Sequence, residues 1–369
     1  MRVALLFGGR SGEHEISVMS AGSIYKALLQ GGFDVVPIGI TRDGHWVCLQ
    51  DPDSFFTQAR PEVAQDLGPS CYILPDPLRP GIWVNGAAEA ERGRIHVDVV
   101  FPVLHGLFGE DGTIQGLLDL SGMPYVGPGT LASAVCMDKD TAKMVLARHG
   151  VPCVPSLAVE RWMWRKEREA VLARLGAEIE FPVFVKPSGS GSSLGVYKVR
   201  DRDALPVALD NAFLYDIKIL IEPSQEGCIE VECSVLGNDE PKASVAGQIV
   251  PSREFYDYEA KYMDEGTRLV VPAPLDKHLM EKVRGLAVAA FRATGCSGLA
   301  RVDFFVNPET GEVYVNELNT MPGFTKVSMY PKLWEASGKP YAELVRDLIE
   351  LALDRKKATE RHVYRTVEM

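Results

Sequence analysis

The 369 residues carry 39 Lys and Arg against 50 Asp and Glu, and a net charge of −11 excludes the nucleic-acid binders, whose electrostatic footprint is basic. An apolar fraction of 46% supports a packed core, and a chain of this length divides into two or three domains. Seven cysteines without any C-x-x-C spacing argue against a zinc or disulfide framework, and for reduced thiols in a cytoplasm. The opening apolar run is too short for a signal-peptide core, and no stretch reaches the roughly 20 apolar residues of a membrane helix. Neither membrane nor nucleic acid is expected as a partner.

In chain order, the apolar run over residues 3–7 ends in Gly8-Gly9 and is followed by a helical pattern from Ser17. Further strands are predicted over 35–40 and 97–104, with helical patterns around them. This alternation reads as a parallel α/β domain ending near Tyr125-Val126-Gly127. Asp138 is the predicted N-cap of a helix over 138–148, with Gly150 after its end. Pro152 and Pro155 mark a linker, and a small α/β module follows over about 156–221, with strands at 182–185 and 219–221. The last third reads as α+β. It has strands at 231–236 and 243–250, a long helix over 277–294, a hairpin over 300–318 and a final helix over 341–353.

The hairpin carries the first chemical signal. With its turn centred near Thr310, Asp303 lies opposite Glu317, and Asn319, two residues on, projects to the same face. Three hard oxygen side chains then converge, which suits Mg²⁺ completed by phosphate and water. Arg301 shares this face and relieves carboxylate repulsion. A solvated, ordinarily charged hairpin face is the alternative.

Three other stretches stand out. Lys186-Pro187-Ser188-Gly189-Ser190-Gly191-Ser192-Ser193-Leu194-Gly195 follows a strand, and its backbone N–H groups could turn inward around phosphate. It is neither a Walker A loop nor a dinucleotide fingerprint, and a flexible linker is the alternative. His105-Gly106-Leu107-Phe108-Gly109-Glu110-Asp111-Gly112 ends the third strand, as Gly8-Gly9-Arg10-Ser11-Gly12-Glu13 ends the first, so both loops could face one crevice. The aromatic and charged run 255–262 suits a lid or an anchored surface loop.

Together these stretches resemble the D-alanine–D-alanine ligase family of the ATP-grasp superfamily. The resemblance rests on Gly8-Gly9 with Glu13, Glu15 and Ser17; His105-Gly106 with Gly109-Glu110-Asp111-Gly112 and Gln115-Gly116; and Met137-Asp138-Lys139. It continues through Lys186-Pro187 with Gly191-Ser192-Ser193, Tyr258 with Lys261-Tyr262, and Arg301 with Asp303. Asn316-Glu317, Asn319, Pro322-Gly323-Phe324 and Ser328 complete it, in family order over nearly the whole chain.

The resemblance implies a three-domain ATP-grasp fold of α/β and α+β parts. These would be an N-terminal parallel, Rossmann-like substrate domain over 1–127, a central subdomain with the phosphate loop over 128–221, and a C-terminal subdomain with metal hairpin and lid over 222–369. It implies that one D-alanine carboxylate is phosphorylated by ATP and that a second D-alanine amine displaces phosphate from the acylphosphate. Lys139, Lys186, Lys261, Ser193 and Asn316 would serve ATP; Asp303, Glu317 and Asn319 would hold two Mg²⁺ or Mn²⁺ ions, with a monovalent cation as a further candidate. Arg301 and the Gly323 N–H would stabilise the tetrahedral oxyanion. Glu13 would take the first ammonium with His105 nearby, Ser328 would help bind the second carboxylate, and Ser192 and Tyr262 would hydrogen-bond with Glu13 to close the lid. The family resemblance further implies a homodimer.

The segment 222–232 departs from the family pattern, since the family arginine is missing and Pro223 has no N–H to offer a base. Glu230 keeps register for the ribose and Glu222 falls near the adenine. Among rivals, a D-alanine–D-lactate ligase usually lacks the lid tyrosine, so Tyr262 favours the dipeptide. A non-catalytic nucleotide-binding regulator would have lost some of the metal or phosphate residues, which are all present. A glutathione-synthetase-like enzyme is disfavoured by the His105 loop and Tyr262.

Overall fold

The structure, a computed structural model, describes residues 1–59, 61–85, 93–251, 267–325 and 327–360. The predicted lid run, with Tyr258, Lys261 and Tyr262, lies outside the described residues.

The first sheet is built on β1 (Arg2–Gly8), flanked in parallel by β2 (Asp34–Ile40) and, later in the chain, by β7 (Val99–Val103). Residues Val3 to Phe7 are inaccessible on both faces, which is why they read as an unbroken apolar run. The edge strand β3 (Trp46–Cys48) pairs antiparallel with β2. A small antiparallel sheet, β4 (Cys71–Ile73), β5 (Ile82–Val84) and β6 (Arg94–Ile95), was not predicted; its strands have three, three and two residues, too few to show a period. The first long helix is His14–Gln30 and starts ahead of the predicted Ser17. Ser17 sits inside its first turn, accepting from the Gly8 N–H at 2.7 Å and donating to the Val103 carbonyl, so it ties together the ends of β1 and β7.

Val3, Leu5 and Phe7 share a core with that helix, with Phe324 and Tyr330, and with Leu344, Val345, Leu348 and Ile349 of the terminal helix Tyr341–Glu360. The end of the chain therefore packs back on the first sheet. Arg355 of this helix donates to the Gly127 and Tyr125 carbonyls and stacks 4.2 Å over the Tyr125 ring.

The second sheet runs β10 (Tyr197–Val199), β9 (Val183–Pro187), β11 (Lys218–Pro223), β8 (Leu157–Glu160) and is antiparallel throughout. The third runs β14 (Arg268–Val270), β13 (Lys242–Val250), β12 (Ile229–Gly237), β15 (Gly298–Val306), β16 (Val313–Asn319), again antiparallel. The helix Lys277–Ala293, N-capped by Asp276 through a 2.8 Å bond from the Leu279 N–H, covers one face of this third sheet. Asp138 likewise caps Lys139–Arg148, as predicted, by accepting from the Thr141 N–H at 2.9 Å. The helix Met329–Ala336, which sequence patterning did not separate, follows directly from Ser328 as its N-cap.

All seven cysteines are free, and among the described residues no helix is long and apolar enough to cross a membrane. Between the sheets and the ends of β1 and β7 lies a cavity of about 880 Å³.

Candidate active site

The hairpin presents the charged side chains to this cavity. Its turn is fixed by Asn307, whose side-chain oxygen accepts from the Glu309 and Thr310 N–H groups at 3.0 and 3.1 Å. The register is the predicted one: Asp303 pairs with Glu317 and Arg301 with Asn319. One feature differs from simple alternation. The pairing slips between Asp303 and Phe304, so Asn316 is an extra residue on β16. Val313, Val315 and Leu318 stay in the core, while the consecutive Asn316 and Glu317 both line the cavity. A bulge adds an unpaired residue to one strand and re-aims its side chain.

On this face Arg301 forks onto Asp303 at 2.7 and 2.6 Å, and its Nε lies 3.0 Å from Glu232 of the adjacent β12. Burial disfavours the guanidinium charge, but Asp303 and Glu232 outweigh it, so Arg301 is held even further towards its charged form. The Asn319 amide donates to Asp303 at 2.9 Å, and Lys139 Nζ lies 3.2 Å from Glu317. Glu232 received no role from the sequence. Its alternation with Glu230 on a mostly apolar strand was the available signal, and its register with Asp303 aims it at the site.

Of the predicted phosphate lysines, Lys186 meets Glu222, where an unpredicted lysine, Lys143, joins it. Lys186 Nζ is 2.6 Å from one carboxylate oxygen and 3.2 Å from Asn316 Oδ1, while Lys143 Nζ is 2.5 Å from the other carboxylate oxygen. Burial pushes the Glu222 carboxyl up, but Lys186 and Lys143 outweigh it and leave it below the ordinary carboxylate range. Burial pulls Lys143 down, against the attraction of Glu222. Lys143 was missed because a lysine inside a helix reads as solvent-facing; here it is buried and also donates to the Val154 carbonyl at 2.9 Å.

The end of β11 and the residue after it have no free backbone donor. Pro223 has none, and the Ser224 N–H donates to the Pro182 carbonyl at 2.9 Å. Glu230 lines the cavity with Phe184, Ser224 and Gln225.

The glycine- and serine-rich loop leaves β9 with its backbone wound into the left-handed region. Ser192 has φ 49° and Ser193 φ 58°, unusual for residues with a Cβ, and Gly195 has φ 75°. Asp216 accepts the Gly189 N–H at 2.6 Å, and Lys139 Nζ donates to the Ser190 carbonyl at 2.7 Å. Lys139 thus touches both the loop and the hairpin. A Cβ on Gly191 would fall 2.6 Å from Glu13 Oε1, so glycine lets the loop approach that carboxylate without displacing it. Among the described residues no hydrogen bond joins Ser192 to Glu13.

The first- and third-strand loops do meet: Arg10 stacks 4.8 Å from the Phe108 ring centre, and a Cβ on Gly106 would lie 3.4 Å from Glu13 Oε1. His105 is buried, with both nitrogens engaged inside the protein. Nδ1 lies 2.8 Å from the Met321 carbonyl and Nε2 3.2 Å from Ser20 Oγ. Glu110, another residue without a predicted role, accepts from the Gly106 and Met321 N–H groups at 2.7 and 3.3 Å. Burial, with Glu13 adding repulsion, pushes its carboxyl up to about 8. Downstream, a Cβ on Gly323 would come within 2.9 Å of Ser328 Oγ, and Ser328 Oγ accepts from the Thr325 N–H at 3.0 Å. Among the described residues no hydrogen bond uses the Gly323 N–H.

The donors on the hairpin fit a hard divalent cation in part. Among the described residues no group of three or more His, Cys, Asp and Glu side chains is arranged to hold a metal by itself. Two carboxylates and an amide do match an ion that brings phosphate and water as its other ligands.

Comparison with known proteins gives the same picture along the chain. The family models for the D-ala D-ala ligase N-terminus and C-terminus match residues 2–128 and 145–350. The D-alanine--D-alanine ligase of Natranaerobius thermophilus is 46% identical over 98% of this chain and 97% of its own, and that of Caldicellulosiruptor bescii is 47% identical over 97% and 96%. The structure of the D-alanine-D-alanine ligase from Coxiella burnetii superposes with a TM-score of 0.85 at 36% identity, over 98% of this chain and 96% of that one. The VanG D-Ala:D-Ser ligase from Enterococcus faecalis also gives 0.85, at 35% identity over 95% and 99%. With both domain models matched and relatives of this identity aligned end to end, the chain belongs to the D-alanine–D-alanine ligase family and has its ATP-grasp fold.

Proposed function

We propose that this chain joins two D-alanines at the expense of ATP, releasing ADP and phosphate, to supply D-alanyl-D-alanine for peptidoglycan. The observation that carries this reading is the single cavity in which Lys139, Lys186, Arg301, Asp303 and Glu317 meet Glu13 and the Gly323 loop. Phosphoryl transfer is catalysed mainly by positioning and charge neutralisation, and these residues supply both.

The first D-alanine is bound through its ammonium by Glu13, and its carboxylate attacks the γ-phosphorus of ATP. Lys139 and Lys186 exchange their present partners, Glu317 and Glu222, for phosphate oxygens. Asp303, Glu317 and Asn319 would hold Mg²⁺ or Mn²⁺, two ions by family analogy, which supply charge neutralisation to the phosphates. The second D-alanine, its carboxylate bound near Ser328, brings its amine to the acylphosphate carbonyl. The oxyanion that forms is met by the Gly323 N–H and by Arg301, and phosphate leaves as the carbonyl reforms. Glu222 and Glu230 serve adenine and ribose. Ser193 and Asn316 act at the phosphate end. Lys261 and Tyr262, outside the described residues, complete the phosphate site and the lid by resemblance. A lid protects the acylphosphate from water. The cytoplasm, where the thiols stay reduced, is the expected location, and a homodimer the expected assembly.

The test is ADP release and product mass with D-alanine alone, then with D-lactate or D-serine added at several pH values. The likeness to a D-Ala:D-Ser ligase makes D-serine an informative competitor. D-Alanyl-D-alanine as the dominant neutral-pH product supports the reading, and preference for either competitor overturns it.

A further inference from the structure

Residues 321–324 carry the Gly323 N–H, yet they are held largely by the N-terminal domain. Met321 is gripped on both sides of its backbone: its carbonyl lies 2.8 Å from His105 Nδ1 and its N–H 3.3 Å from Glu110 Oε2. Three residues on, the Phe324 N–H donates to Ser20 Oγ at 3.1 Å, and Ser20 Oγ lies 3.2 Å from His105 Nε2. One proton arrangement satisfies all of these bonds. A carbonyl only accepts, so Nδ1 carries the hydrogen, Nε2 keeps its lone pair, and the Ser20 hydroxyl donates to it while accepting from Phe324. Burial, which holds His105 below its ordinary range, favours the same neutral form. Glu110 is itself anchored to the N-terminal domain by the Gly106 N–H. The Phe324 side chain is inaccessible and meets Phe101 edge to face at 6.1 Å.

We propose that Ser20, His105 and Glu110 form a clamp that acts through Met321 and Phe324 to aim the Gly323 N–H at the reacting carbonyl, as positioning residues that do not themselves bind D-alanine. His105 was expected at the first D-alanine; with both nitrogens engaged it has no donor left for that ligand. The clamp spans the join between domains, so it sets the distance between the Glu13 crevice, where the first substrate sits, and the backbone donor that meets its oxyanion. Misplacing such a donor by about 1 Å costs on the order of 10²-fold in rate. This inference rests on the proposed ligase activity.

Ser20→Ala removes the partner of the Phe324 N–H, whose carbonyl keeps its 2.7 Å bond from the Tyr341 hydroxyl, while leaving a small, buried, helix-favouring residue, and Ser20→Thr restores a hydroxyl. Four quantities are read on the intact chain. They are kcat and KM for D-alanine, affinity for a phosphinate analogue of the tetrahedral intermediate, and amide exchange of the 321–324 peptide. In Ser20→Ala, kcat and analogue affinity should fall together by roughly 10- to 100-fold, KM should stay within about twofold, and 321–324 should exchange faster. Ser20→Thr should recover most of each loss. A rise in KM with kcat preserved would place this cluster on the substrate and overturn the clamp, as would unchanged kcat and exchange. If wild-type chain makes no dipeptide, the function reading fails. The clamp is then decided by exchange alone: unaltered protection at 321–324 in Ser20→Ala rejects it.

Discussion

The β15–β16 hairpin and the loop 187–195 line one cavity and prepare for charged groups by different means. On the hairpin, strand register places the charges and other side chains hold them: Arg301 forks onto Asp303 and the Asn319 amide donates to the same carboxylate. In the loop, the backbone does the placing, with Ser192 and Ser193 in the left-handed region, while Asp216, Lys139 and Asp138 tie down its first residues at Gly189, Ser190 and Ser188. Point charges that must neutralise phosphate or a cation belong on a sheet, where neighbouring strands leave no freedom. Backbone N–H groups that wrap phosphate need a chain that can adopt uncommon dihedrals, and glycine provides it. Lys139 bridges the two, bonded to Ser190 and Glu317 at once, so filling one region must be felt in the other.

The largest effect should come from the hairpin's carboxylates. Asp303→Asn should lower kcat by roughly 10²–10³-fold, because cation-held charge neutralisation is worth several kcal/mol. Steady-state ADP release across a Mg²⁺ titration checks this; near-wild-type turnover at every concentration would dissolve the contrast between the regions. Arg301→Lys keeps the charge but loses the fork to Asp303 and the contact with Glu232, and a fall in kcat of about 10² is expected, with ATP KM little changed. Equal kcat for the lysine variant would show that charge alone matters on this face.

Gly191→Ala tests the loop. The added methyl would collide with Glu13 Oε1, so either the loop draws back or the Glu13 carboxylate is displaced. A roughly 10-fold rise in KM for D-alanine is expected with melting temperature nearly unchanged, since a loop contact and no core packing is disturbed. A large loss of stability instead would mean that this loop is as rigidly built in as the hairpin.

The remaining effect is on stability and not on rate, and it belongs to Glu110. Its carboxyl is pushed up to about 8, so the folded chain keeps a proton that the unfolded chain loses above the ordinary carboxyl range. The stabilising contribution is therefore complete at acid pH and disappears as pH rises through the folded value. Melting curves from about pH 5 to about pH 8.5 should show a shallower decline for Glu110→Gln than for the parent chain. Parallel declines would show that the group titrates normally.

The parts of the site read from sequence share a trait: local geometry determines them. The pairing of Asp303 with Glu317 follows from a turn closed by Asn307 and Gly311, five residues that the sequence displays together. The Asp138 cap follows from one side chain reaching the Thr141 N–H three residues on. The hairpin register, the Asp138 cap and the parallel core of β1 were legible for that reason. The β16 bulge was not, because an extra residue shows only against the partner strand, and it brings Asn316 beside Lys186.

What only tertiary structure decided has long separations in common. Lys143 became a buried partner of Glu222 once the helix Lys139–Arg148 had packed into the core of the third sheet. Glu232 acquired Arg301 through strand pairing across 69 residues of chain, and His105 acquired Met321 across 216. The terminal helix joined the first sheet's core although nothing in its own pattern names that partner. Sequence determined the residue types, their periodicities and the family they resemble, because these are local or cumulative properties. The fold determined which buried charges meet and which histidine nitrogens stay available, because burial and pairing are properties of the assembled chain.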